Sequence, residues 1–547
     1  MIFNSLSFII FLIVVYFAYR CLQHRKQNIM LLIASYVFYA WWDIRFLLLV
    51  IVSTVINYCC GILIADPKLS KRTRVTASTW LLLSCFLFVT VQWTEVQSLF
   101  GPYSTLKDWQ CLFSWNGGWI ILGFVTIAVI LLNLLNSQIE ALRENTRRIT
   151  FLVTGIVANL GVLGFFKYYN FFMDNMEWLI RAFNFNPSKF HLNILLPIGI
   201  SFYTFKGISY CVDTYQGKNP PARQYVDFAV FIAFFPALLA GPIDRASNLL
   251  NQIAAERKLN WDQTVRGLHL FFYGLFKKVV IADGVVRTVN SVFSSPGQSS
   301  WIDVVVATVL FTIQIYCDFS GYTDMARGTA KLFGIDLMVN FKLPYFAKNP
   351  SEFWSRWHIS LSTWLRDYLY IPLGGNRQGT VKTYHNLMVT MALGGLWHGA
   401  AWNFVLWGVY HGIVLCVYRA IDAMRVATQV RRTSALREVF KIALFFVLTC
   451  YGWLLFRAPS SDKIMSLTST LIFDFGNIDF GATKPMASAL FGLIVFICIE
   501  VIEYVSNGKC FYKSLPTPAW TALYALMIFC LALGMGSESA QFIYFNF

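Results

Sequence analysis

Apolar stretches long enough, or nearly long enough, to cross a bilayer recur along the whole chain. The clearest lie at 5–19, 29–43, 46–64, 77–92, 118–136 and 150–167. Further ones lie at 194–211, 226–240, 268–284, 302–317, 384–397, 402–418, 439–456, 487–504 and 519–536. Several are short or interrupted by Gly and Pro, which predicts re-entrant or half-buried segments among them. The pattern predicts an all-α, polytopic helical membrane protein with roughly 11–13 transmembrane helices plus re-entrant or interfacial helices. No short-period repeat of the solenoid kind is present. One segment departs from the pattern. Phe341 to Lys382 is too polar to face lipid, yet it is dense in aromatics and sits between apolar stretches. Such backbone is tolerated at membrane depth only inside protein or along an aqueous cavity. Short helices packed in the bundle interior, or along its cytoplasmic mouth, are therefore expected here.

Composition agrees with this picture. Of 547 residues, 57% are hydrophobic and 13% charged, against about 45–50% and 25% in soluble domains. Such hydrophobicity excludes disorder. The net charge of +16 would suggest nucleic acid in a soluble protein. In a membrane protein it reports Lys and Arg kept on the cytoplasmic side, so no nucleic-acid partner is expected. Arg20, His24, Arg25 and Lys26 follow the first stretch, Lys68, Lys71, Arg72 and Arg74 the third, and Arg143, Arg147 and Arg148 the fifth. The loop from Trp93 to Gly117 holds only Lys107, and the turn after the second stretch holds Asp43 and Arg45. Basic clusters after odd stretches place the N-terminus outside. The loop with Arg425, Arg431, Arg432 and Arg437 then lies inside, and the C-terminus outside. Met1 to Tyr19 has no basic residue before its apolar run, so it is expected to stay as a first membrane helix. Most of the twelve Cys lie in apolar runs and are expected to be buried small hydrophobes. With no CxxC pair and no Cys/His cluster of ligand spacing, no metal site is expected.

Ionisable groups near membrane depth are costly and mark function by default. Of seven His, His24 and His191 sit in polar stretches, and His269 opens an apolar run as an interfacial residue would. His398 lies in Met391-Ala-Leu-Gly-Gly-Leu-Trp-His-Gly-Ala-Ala-Trp402. Gly394, Gly395 and Gly399 allow close approach there, and a neutral imidazole can take a proton from a hydroxyl. A core His bonded to a carbonyl across a helix interface is the structural alternative. His358 lies in Trp354-Ser-Arg-Trp-His-Ile-Ser-Leu-Ser-Thr-Trp364. On one helix, Trp354, His358 and Ser362 would share a face, with Arg356, Arg366 and Asp367 nearby. An interfacial helix with Trp anchors and snorkelling Arg is the alternative. His385 and His411 flank the same region. Asp318 and Asp324, at the end of an apolar stretch, could work as acid and base, hold a cation, or pair with Arg327 or Arg366. Asp244 and Arg245 are expected to meet in a local turn. The absence of GxxxxGK[ST] and of a GxGxxG turn disfavours nucleotide-driven transport. The absence of GxSxG disfavours a built-in serine hydrolase.

Blocks along nearly the whole chain together resemble the membrane-bound O-acyltransferase superfamily, in its bacterial alginate O-acetyltransferase-like branch. They are Pro197-Ile-Gly-Ile-Ser-Phe-Tyr-Thr-Phe205, Phe234-Phe-Pro236 with Gly241-Pro-Ile-Asp-Arg245, and Asp318-Phe-Ser-Gly-Tyr-Thr-Asp-Met325. They continue with Glu352 to Trp364, Arg366 to Arg377, Gly395 to Trp402 and the closing Phe542-Ile-Tyr-Phe-Asn-Phe547, where Asn546 replaces an expected Gln. The resemblance implies one membrane domain over 1–547. Its N-terminal helices would span 1–167, its catalytic core 194–418 and its C-terminal helices 439–547. It implies a catalytic His398 with a cooperating His358. Trp357, Ser362, Arg366, Asp367, Asp318, Tyr322, Asp324, Trp397 and Asn403 are the expected substrate-binding or supporting residues. It further implies a multi-pass protein of the bacterial inner membrane, embedded in membrane lipids. Acetyl-CoA or another acyl thioester would be the cytoplasmic donor, with no tightly bound cofactor. The acetyl group would pass to an exopolysaccharide such as alginate, to cellulose or to peptidoglycan. An exported SGNH-type acetyltransferase or a small membrane partner would complete the transfer outside. A transporter or flippase of acyl donors, a scaffold subunit of an export machine, and D-alanyl transfer to teichoic acid are the other readings.

Overall fold

The computed structural model describes residues 1–91, 119–134, 136–185, 191–192, 194–295, 299–426, 434–478, 487–506, 516–534 and 542–543. Lys107 with its whole loop from Trp93 to Gly117, Arg431, Arg432 and Asn546 lie outside the described residues. Each of the fifteen apolar stretches carries helix, and no β-strand occurs among the described residues. Seven helices there are long and apolar enough to cross a membrane. They are Ile44–Ala65, Lys71–Thr90, Glu144–Ala182, Trp301–Leu332, Trp402–Met424, Ala435–Arg457 and Thr517–Gly534. The stretch at 226–240 is broken, as its Pro foretold. Helix Tyr225–Ala233 stops at Phe234, and Pro236 opens a single turn, Phe235–Leu238.

The chain forms two compact units. The first holds Met1–Leu239, Ile243–Gln263 and Ala330–Leu337. Its centre is helix Ile200–Tyr215, buried along nearly its whole length and packed on Ile44–Ala65 and Glu144–Leu163. The latter two helices are joined inside the apolar layer by paired amides. Asn159 Nδ2 donates to Asn57 Oδ1 at 2.8 Å, and Asn57 Nδ2 returns a bond to Asn159 Oδ1 at 3.2 Å. Such amide pairs hold helices together where apolar surface cannot distinguish a neighbouring helix from lipid.

The second unit holds Ala240–Pro242, Thr264–Thr329 and Met338–Phe547. Its helix Trp301–Leu332 lies against Trp261–Phe276 with almost no side chain between them. A Cβ on Gly274 would collide with the Gly321 carbonyl, and one on Gly321 would approach the Gly274 carbonyl. We expect Gly274→Val to force this pair apart, since neither backbone can move in a packed interior. A sharp loss of folded protein in detergent size-exclusion profiles would report it. Beyond Gly274 the chain widens into a π-helical segment, Lys277–Ala282, that carries two buried lysines. Such segments often mark functional sites. The core of this unit is aromatic, with Trp357, Trp407 and Trp453 among its fully buried side chains.

Candidate active site

The polar segment 341–382 folds into short helices, as its sequence predicts. Helix Pro350–Arg356 starts on Asn349, whose Oδ1 accepts from the Glu352 amide at 2.9 Å, with Pro350 at the first helical position. It ends before Trp357. His358 then takes a left-handed conformation (φ 41°, ψ 54°), and a second helix runs from Ile359 to Leu365. This corrects one expectation, since Trp354, His358 and Ser362 do not share a face of one helix. The cause lies upstream. Asn340 accepts from the Ile359 amide on its carbonyl (2.9 Å) and from the Ser360 amide on its side chain (3.2 Å). Those amides start a new helix, and the turn between the helices falls on His358. A left-handed non-Gly residue costs about 1–3 kcal/mol and persists only where its surroundings fix it. Asn340→Ala should therefore cost roughly 1–2 kcal/mol, as other lost caps do. A lower melting temperature and reduced transfer activity would check this.

His398 ends helix Thr380–His398, 3% exposed. The Gly399 break and the next helix, from Trp402, bring Trp407 edge-on to its ring at 5.0 Å, with Phe456 at 5.5 Å. Gly395 permits this approach, because a Cβ there would strike the Phe404 carbonyl. The His398 and His358 rings lie 6.3 Å apart, centre to centre. His358 is buried against Phe319 at 4.7 Å and Trp397 at 5.7 Å. Burial pushes its imidazole down to about 3, so the ring is neutral at physiological pH. Beside His398 opens a cavity of about 400 Å³, of ligand size. Its walls include Trp354, Ser362, Arg366, Met391 and Trp407. His358 is not among the lining residues and meets the wall through its neighbour His398.

The remaining expected residues divide. Ser362 and Arg366 reach the cavity. Ser362 donates to the Trp357 carbonyl at 3.0 Å, and Arg366 pairs with Asp367 at 2.7 Å. Trp357 is a core ring stacked on Phe353 at 5.7 Å. Asn403 donates to the Phe456 carbonyl at 3.0 Å, fixing the ring beside His398. Tyr322 lies against Phe542 at 4.6 Å.

Asp318 and Asp324 are ion-paired, largely to partners the sequence did not indicate. Lys277 reaches Asp324 at 2.5 Å, and Arg327 reaches it at 3.2 Å. Lys278 reaches Asp318 at 2.9 Å and Asp283 at 2.7 Å. The second oxygen of Asp318 accepts from the Ile543 amide at 2.8 Å. Phe319, the next residue, faces His358, so this network borders the histidine pair. Adjacent lysines inside the apolar stretch 268–284 were the available signal.

Residues 222–457 match the sequence model of the membrane-bound O-acyltransferase family. The chain is 38% identical over 453 residues to a probable alginate O-acetylase of Azotobacter vinelandii, covering 83% of this chain and 74% of the relative. A probable alginate O-acetylase of Pseudomonas putida is 34% identical over 574 residues, with full coverage of both. A peptidoglycan O-acetyltransferase of Helicobacter pylori is 36% identical over 361 residues, covering 61% of this chain and 67% of the relative.

Proposed function

The chain belongs to the membrane-bound O-acyltransferase family, and from that premise we propose that it moves an acetyl group from a cytoplasmic thioester, acetyl-CoA, toward O-acetylation of an extracytoplasmic polysaccharide. The observation that carries the site assignment is His398 in the wall of a ligand-sized cavity, one ring away from His358. Neutral His398 takes the proton of an acceptor hydroxyl as its oxygen attacks the thioester carbonyl. The tetrahedral adduct collapses to the ester, and the thiolate leaves with the proton returned by the imidazolium. His358, neutral and held by aromatic walls, orients His398 or steadies the oxyanion. Aromatic walls exclude the water that would hydrolyse the thioester. Arg366 at the cavity edge suits the phosphates of the donor.

The names of the relatives favour an alginate-like or cell-wall polymer as final acceptor. The wider arrangement follows from the same reading. The protein sits in the bacterial inner membrane with both termini outside, and an exported SGNH-type transferase or small membrane partner completes the transfer. Purified protein is expected to release free CoA from acetyl-CoA only when acceptor is present. A transporter of acyl donors would leave the thioester intact, and thiol release read with a colorimetric reagent separates the two.

A further inference from the structure

The first unit contains an apolar slot of about 640 Å³ that the transfer reaction does not use. It is lined by faces of Ile44–Ala65, Lys71–Thr90, Trp119–Leu134 and Glu144–Leu163. On Ile44–Ala65 the lining runs from Leu48 to Leu63, about 22 Å along the axis. That is most of the roughly 30 Å hydrocarbon core. One end differs chemically from the rest. Arg74 heads the lining stripe that continues along Lys71–Thr90 through Ala77 and Cys85. Arg147 stands one turn before Phe151, at the head of the stripe through Phe151, Thr154 and Ala158.

Both guanidinium groups carry a buried Nε without a hydrogen-bond partner among the described residues, and Arg147 is only 4% exposed. A buried, unanswered cation is costly unless an anion meets it. Arg74, half-buried in the lining, and Arg147, buried one turn before the lining residue Phe151, put positive charge at one end of a mostly apolar slot, which matches an anion with a long hydrocarbon tail. We propose that this slot holds an anionic phospholipid, its phosphate at Arg74 and Arg147 and an acyl chain along the stripes below them. Guanidinium groups suit this role because they bind phosphate oxygens in a fork.

The full-length protein, purified in a neutral detergent, should carry phosphatidylglycerol when mixed micelles offer it beside an equal amount of phosphatidylcholine. Native mass spectrometry counts the bound molecules. Arg74→Gln alone is expected to weaken retention about tenfold, the loss of one charge-assisted contact. Adding Arg147→Gln should abolish the preference for the anionic lipid. Ala77→Trp fills the slot, leaves both arginines in place, and should also expel the lipid. Equal retention of phosphatidylcholine by the wild type would overturn the proposal. So would Arg74→Gln binding phosphatidylglycerol like the wild type. Retention that survives Ala77→Trp would place the lipid elsewhere and overturn it equally. Arg74 is half-buried and Ala77 lies at the slot wall, so these two variants test the site even where Arg147→Gln fails to fold.

Discussion

His398→Ala is expected to lower acetyl transfer by about 10²–10⁴-fold, the usual contribution of a positioned general base, with membrane insertion unchanged. The ring is nearly fully buried in a cage of Trp397, Trp407 and Phe456, so alanine also leaves a hole beside the cavity. His398→Gln separates these effects. Glutamine keeps much of the volume and a hydrogen-bonding end but takes up no proton at neutral pH. Transfer should fall as far in His398→Gln as in the alanine variant, while the melting temperature stays nearer the wild type. His358→Ala should cost about 10²–10³-fold if the ring steadies the oxyanion. Acetylated polymer from cells carrying each variant is the readout. Unimpaired acetylation in His398→Gln would remove this residue from the role of base.

The helices were largely legible because lipid is a uniform solvent. Each span must be apolar along its length, and that requirement is written in consecutive residues. His398 was legible for a related reason, as a rare ionisable group among glycines and aromatics in an apolar stretch. The break at His358 was not legible. Its cause is Asn340, eighteen residues earlier by number, and helical spacing alone counts Trp354, His358 and Ser362 onto one face. The bond of Ser362 to the Trp357 carbonyl follows from that break. Lys277 and Lys278 were hidden differently. They stand in a stretch whose apolar residues outweigh them, and their partners Asp318 and Asp324 lie forty and forty-seven residues on. The close approaches at Gly274–Gly321 and Gly267–Gly328 set those carboxylates opposite the lysines, and contacts between distant glycines leave no local periodicity.

That network sets the second large expectation. Lys278 is almost wholly buried and stands between Asp318 and Asp283. Removing it as Lys278→Met leaves two buried carboxylates without their shared cation. Breaking a buried pair in this way costs roughly 3–5 kcal/mol, enough to consume much of a typical folding free energy. Loss of monodisperse protein on heating in detergent should show it. The companion change Asp318→Asn leaves Lys278 paired to Asp283, so its cost should be smaller. The double variant Lys278→Met with Asp318→Asn should recover part of the loss, because one of the two carboxylate charges that faced Lys278 is gone. That recovery is the coupling a double-mutant cycle measures between touching groups. If the double variant is merely the sum of the singles, the two groups act independently and the network reading fails. A second consequence links stability to chemistry. Asp318 also accepts from the Ile543 amide, and Phe319 beside it forms one wall of His358. Asp318→Asn keeps an oxygen for that amide, whereas Asp318→Leu does not. Transfer should therefore fall further in the leucine variant than its stability loss explains, because the wall that holds His358 loosens with it.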